Sequence, residues 1–173
     1  PSHHMAFLYN FIGKPHKTQE KTRQIIREMY SSEPDGLSGN EDCGQMSSWL
    51  NLTAIGMYPV TPGSSQYTLT APYVDSATIN LENGKQFKIK AIGLSDENIY
   101  IQTVKLNGNS HANGYIEHRS IVKGGELVFE MGDKPTEWGK DKPPFSSVPQ
   151  YPISIVPFFN TQKRTFFDSL CIE

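Results

Sequence analysis

Ala77-Thr78-Ile79-Asn80-Leu81-Glu82-Asn83-Gly84-Lys85-Gln86-Phe87-Lys88-Ile89-Lys90-Ala91 decides the class of this fold. Ala77, Ile79 and Leu81 alternate with Thr78, Asn80 and Glu82. Phe87, Ile89 and Ala91 then alternate with Gln86, Lys88 and Lys90. A period of two sends one set of side chains to a core face and the other to solvent. Asn83-Gly84 between the two runs is the strongest short hairpin signal, because both residues tolerate positive φ.

The same reading extends downstream. Ile99 to Leu106 followed by Asn107-Gly108 predicts a second hairpin, and Glu126 to Met131 a further strand. Residues from about 66 to 132 are therefore expected to form a small antiparallel β-sandwich. Beyond Gly132, Pro135, Pro144, Pro149, Pro152 and Pro157 suggest an extended segment stiffened by proline.

Upstream of Pro59 the period is 3.6. His4 to Phe11 is a short apolar-rich segment ending at Gly13, a suitable C′ residue. Pro15 sits at a helix start, and Lys17 to Tyr30 carries Ile25, Ile26, Met29 and Tyr30 at helical spacing. A third helix is expected from about Asp42 to Ile55, with Met46, Trp49, Leu50, Thr53 and Ala54 on one face and Gly56 ending it. Trp49 and Tyr58 are expected in the core, although an aromatic ring beside a sugar site also stacks on pyranose faces. The class is α+β: helices over 1–58, a sandwich over 59–135, and a Pro-rich extension over 136–173 leading toward a possible further β domain.

Bulk properties narrow the function. The 173 residues carry a net charge of −2, and no Lys/Arg stripe is present to neutralise phosphates, which argues against nucleic acid. No apolar run approaches the roughly 20 residues that a membrane span needs, and no signal peptide is visible. Cys43 and Cys171 make no disulfide framework, and Cys43 is expected as a free, mostly buried thiol at a helix start. The Asn51-Leu52-Thr53 sequon falls inside the third helix and is discounted. His111 and His118 are expected at the surface. The opening Pro1-Ser2-His3-His4-Met5 and the tail from Arg164 to Glu173 suggest a piece cut from a larger protein.

The chemistry concentrates in Gly39-Asn40-Glu41-Asp42-Cys43-Gly44-Gln45-Met46-Ser47-Ser48-Trp49. Carboxylates before an apolar-periodic segment suit the first turn of a helix, where exposed N–H groups and the macrodipole favour negative charge. Gly36, Gly39 and Gly44 around them suggest in addition that something approaches the backbone closely. A carboxylate held there can bind a water, a cation or a sugar hydroxyl. Glycoside hydrolysis needs two carboxyl groups. Consecutive Glu41 and Asp42 diverge by about 100° on a helix, so at most one is a base and the acid lies elsewhere. Asn and carboxylate oxygens also suit Ca²⁺, though no EF-hand spacing is present. His3-His4 lacks zinc-ligand spacing.

These residues resemble the C-terminal part of glycoside hydrolase family 92, the exo-acting α-mannosidases. The resemblance runs in order through Pro1-Ser-His-His-Met5, Tyr9-Asn10, Gly13-Lys14-Pro15, Thr18-Gln19, Pro34-Asp35-Gly36-Leu37-Ser38-Gly39, the Asn40 to Trp49 run, and Gly56-Met57-Tyr58-Pro59-Val60. It continues through Asn83-Gly84-Lys85, Ile99 to Gln102, Gly124-Gly125 and Met131-Gly132, covering about residues 1–138. It implies that the helices before Tyr58 end an (α/α)6 catalytic toroid, with the β-sandwich following, and that an N-terminal part of the same protein is missing here. It further implies a Ca²⁺-dependent, inverting attack on terminal α-mannosides of glycans, N-glycans among them. Asp42 matches the general base. Asn40 stands where some members carry Asp and is left to orient the water. Glu41 would bind substrate or support the metal shell, and His3 and His4 match a substrate- or metal-proximal segment and would bind substrate. The family's general acid lies upstream of this chain, so the chain alone is expected to be inactive. A secreted, periplasmic or cell-surface location follows from the family. The alternative is a non-catalytic carbohydrate-binding or structural module built on the β-sandwich.

Overall fold

The computed structural model describes residues 2–144. A 3₁₀ turn, Met5–Phe7, runs into α1 (Leu8–Phe11), followed by α2 (Pro15–Met29) and α3 (Gln45–Ala54). Eight strands and one short helix come next: β1 (Met57–Tyr58), β2 (Gln66–Leu69), β3 (Ser76–Asn80), β4 (Gln86–Ile92), β5 (Tyr100–Leu106), β6 (Asn109–Ser110), β7 (Tyr115–Glu117), α4 (His118–Val122) and β8 (Gly125–Gly132). The α+β class holds. The expected tail strand near Arg164 and the prolines from Pro149 onward lie outside the described residues.

Both hairpins form where the alternation placed them, by different turns. Leu106 pairs with Asn109 across Asn107 (φ +51) and Gly108 (φ +79), two positive-φ residues as a two-residue hairpin loop requires. At the first hairpin only Gly84 is left-handed. The Gly84 N–H donates to Leu81 O and the Leu81 N–H to Lys85 O, each at 2.9 Å, giving a longer loop with its glycine at the end.

The strands form two sheets, β1-β2-β7 and β3-β4-β8-β5-β6. The larger is mixed: β8 runs parallel to β4, with Ile89 opposite Leu127, and antiparallel to β5, with Val104 opposite Phe129. Alternation assigns faces to strands but not directions, and the excursion through β5, β6, β7 and α4 lets β8 enter beside β4 the same way up. Phe87, Ile89, Leu127 and Phe129 on the large sheet and Met57, Leu69 and Ile116 on the small one share one apolar core. A second cluster gathers Ala6, Phe7, Ile26 and Trp49, with Tyr58 half-buried and stacked on Phe7 at 5.1 Å.

Helix α2 meets the sheets through a polar face. Thr18, Gln19, Thr22 and Arg23 are all buried. Gln19 Oε1 accepts the Ile101 N–H at 2.9 Å, and Thr22 and Thr70 hydroxyls meet at 3.0 Å. Arg23 Nη2 donates to Ser95 O at 2.8 Å, and its guanidinium sits 5.0 Å over the Tyr73 ring. Asn10 Nδ2 donates to Leu69 O at 2.9 Å. Buried polar groups are stable only when partnered, so these bonds fix the helices' placement more sharply than apolar contact would.

Candidate active site

The expected start of the third helix is corrected. Helix α3 begins at Gln45, and Asp42 (φ +53), Cys43 (φ +58) and Gly44 (φ +92) form a left-handed run ahead of it. Neither acid therefore lies in the helix's first turn. Left-handed backbone costs an L-residue roughly 1–2 kcal/mol, and such geometry persists only where the surroundings impose it. Here the Met46 N–H donates to Glu41 O at 3.2 Å, the Gln45 N–H to Asp42 O at 3.3 Å, and the Ser48 N–H to Gly44 O at 2.9 Å. The tight turn pushes side chains outward. Asp42 is exposed, and so is Cys43, which overturns the expectation of a buried thiol.

Glu41 takes the place at the helix mouth that the sequence reading gave to both acids. Its Oε1 accepts the Ser47 N–H at 3.2 Å, satisfying an N-terminal donor. Its Oε2 is buried and without a hydrogen-bond partner in the described residues.

Asn40, Asp42 and His3 line one cleft of about 630 Å³. Lys21, Ile25 and Met29, a stripe of α2 at spacing four, form a wall, and Tyr30 and Trp49 also line it. Tyr30 stacks on Trp49 at 5.8 Å with 9° between planes, and its hydroxyl donates to Met46 O at 3.3 Å. Burial pushes the Tyr30 phenol up from its ordinary value, and the Glu41 carboxylate adds to this.

His3 and His4 part company. The His3 main-chain carbonyl accepts the Trp49 indole N–H at 3.0 Å, and its ring lies 5.8 Å from the Trp49 ring. Partial burial lowers the His3 imidazole below its ordinary value, and the nearby Asp42 and Glu41 carboxylates act in the opposite sense. His4 is exposed and does not line the cleft, and neither does Glu41. Elsewhere, His118 is exposed as expected, but His111 is half-buried, its Nε2 2.8 Å from Tyr115 O.

Lys21 carries no signal of its own in the sequence, where Tyr30 reads as one of the helically spaced residues and Gln45 as part of the Gly39 to Trp49 run without a role of its own. The spacing of Lys21, Ile25 and Met29 was the available signal: it marks a face of α2 distinct from Thr18, Thr22 and Ile26.

Asn40, Glu41 and Asp42 supply oxygen donors of the type a hard cation takes. However, among the described residues no three His, Cys, Asp or Glu side chains gather to hold a metal ion, and Glu41 already commits one oxygen to Ser47. The described residues do not make a calcium site by themselves. Among them, no helix is long and apolar enough to cross a membrane.

A family model described as the glycosyl hydrolase family 92 catalytic domain matches residues 1–133. A family 92 α-mannosidase from Bacteroides thetaiotaomicron, solved in complex with mannoimidazole, superposes with a TM-score of 0.80 at 36% identity over 84% of this chain and 20% of its own. A family 92 inverting mannosidase from the same organism superposes at 0.79 with 35% identity, over 84% of this chain and 20% of its own. An uncharacterized secreted glycosidase from Arthroderma benhamiae is 29% identical over 83% of this chain and 19% of its own length. The chain thus spans about a fifth of the length of the relatives it matches.

Proposed function

The chain belongs to glycoside hydrolase family 92, and from that premise we propose that it forms the base-bearing wall of an exo-α-mannosidase active site. The observation that carries the reading is the convergence of His3, Asn40 and Asp42 on one cleft, with Asp42 held outward by the left-handed turn. An exposed carboxylate fixed at a cleft edge can take a proton from an attacking water. Asn40 beside it has an amide that can orient that water. Tyr30, half-buried with the buried Trp49 stacked behind it, gives the cleft an aromatic side suited to the apolar face of a pyranose.

In the proposed reaction Asp42 removes a proton as water attacks the anomeric carbon of a terminal α-mannoside of a glycan, such as an N-glycan. The configuration inverts in one displacement. The leaving oxygen is protonated by a general acid contributed from outside this chain, about 6.5–9.5 Å from the base as inverting enzymes require. The 173-residue chain alone is then without turnover. Ca²⁺ dependence, proposed on the family resemblance, would draw most ligands from elsewhere in the enzyme, with Glu41 giving at most its free oxygen. A secreted or cell-surface location accords with the secreted relative.

The test is mannose release from a panel of α-linked mannobioses by the longer protein carrying this sequence, in Ca²⁺ and then EDTA, beside Asp42→Asn. Release abolished by the substitution supports the reading. A folded protein that releases nothing from any linkage points instead to a carbohydrate-binding or structural module.

A further inference from the structure

His3 makes three contacts with α3, and one of them sets the chemistry of its ring. Besides the bond from Trp49 to its carbonyl and the ring contact, the Gln45 amide nitrogen lies 3.2 Å from His3 Nδ1. An amide nitrogen only donates, so Nδ1 accepts and carries no proton; the proton of the neutral imidazole is then on Nε2. Gln45 has no other side-chain hydrogen bond among the described residues. It is also the first residue of α3, directly after Gly44, so the turn that presents Asp42 presents Gln45 as well.

We propose that Gln45 is a positioning residue that holds His3 in its Nε2–H form, giving the cleft a neutral hydrogen-bond donor for a hydroxyl oxygen of the bound sugar. The inference rests on the cleft being a mannoside site. It divides the labour between the two ends of the wall: Asp42 accepts a proton, while His3 donates a hydrogen bond without releasing one. An imidazole protonated at Nε2 has no lone pair there for a metal ion or a proton, so His3 acts as neither ligand nor base through that atom. It also explains the asymmetry of the histidine pair, because among the described residues His4 has no comparable partner.

The first measurement is the histidine tautomer in the ¹⁵N-labelled 173-residue chain by long-range ¹H–¹⁵N spectra, with His3 assigned by a His3→Gln variant. The expected result is an Nε2–H signature for His3. Gln45→Glu should move the proton to Nδ1, since a carboxylate accepts. An Nδ1–H signature in the unaltered chain, or no change in Gln45→Glu, overturns the proposal. In the longer enzyme Gln45→Met should raise KM for the mannoside about tenfold with kcat within about twofold, as loss of one ground-state hydrogen bond predicts. A lowered melting temperature with unchanged KM would show a merely structural role and overturn it too. Should the unaltered enzyme release no mannose, the mannosidase reading fails while the tautomer result stands. Should it release mannose with the wrong tautomer, only this inference fails.

Discussion

Glu41 accepts the Ser47 N–H through Oε1 at 3.2 Å, while its neighbour Asp42 points away into solvent at the cleft edge. One carboxylate anchors the turn and the other is left free to react. The left-handed backbone between Asp42 and Gly44 is what separates them. On a regular helix both acids would have crowded the same N-terminal turn.

Removing the anchor should loosen the turn. Glu41→Ala is expected to lower stability by about 0.5–2 kcal/mol, the usual range for a lost N-terminal cap. Urea unfolding of the chain measures it, and an unchanged midpoint would deny Glu41 this structural part.

Removing the proposed base should leave the turn intact. Asn tolerates positive φ at least as well as Asp, so Asp42→Asn keeps its backbone geometry. Mannose release by the longer enzyme should fall by roughly 10²–10⁴-fold with the melting temperature within a degree or so of the unaltered protein. Near-full activity in this variant would remove Asp42 from the chemistry.

Trp49 is buried in the second cluster and stacks on Tyr30 of the cleft wall. Trp49→Phe retains a ring against Tyr30 but strips the donor from the His3 carbonyl, an expected loss of about 1–3 kcal/mol. Trp49→Ala adds a cavity and should lose about 3–5 kcal/mol. A Trp49→Phe variant as stable as the unaltered chain would show that the indole N–H contributes nothing.

Gly125 has φ +135, and a Cβ placed on it would lie 2.1 Å from Asn107 Oδ1, the atom that accepts the Glu126 N–H at 2.8 Å. Gly125→Ala must break that bond or shift β8, and about 2–3 kcal/mol of stability should go with it. A melting temperature unmoved by the substitution would contradict the close approach.

Glu20 ties α2 to β5. Burial raises its carboxyl, but hydrogen bonds from Lys17 Nζ at 2.9 Å and from the Tyr100 hydroxyl at 3.1 Å outweigh it and hold the group below its ordinary value. A depressed carboxylate adds stability that is present above its unfolded pKa and lost as pH falls through the folded one. Glu20→Gln should therefore flatten the acid limb of the stability curve while changing little in shape above it. Parallel acid limbs in urea titrations would count against the linkage.

The hairpins and the strand cores were legible because Phe87, Ile89 and Ala91 alternate without interruption, and alternation is set by the backbone alone. Pro15, Gly13 and Gly56 marked their helix ends by their own φ preferences. Asp42 and Cys43 escaped, since carboxylates before an apolar run read as a helical first turn and nothing local announces two non-glycine residues in left-handed geometry. Cys43 became exposed for the same reason.

What the sequence determined by itself was each segment's period, its turn chemistry and the run of residues that marks the family. Those are local properties, written within a few residues of one another. The parallel entry of β8 beside β4, the polar seating of α2 and the meeting of His3 with Asn40 and Asp42 were decided only by the tertiary structure. Each joins segments far apart in the chain, and the free energy that selects such a pairing arises when distant surfaces are buried and their hydrogen bonds satisfied together.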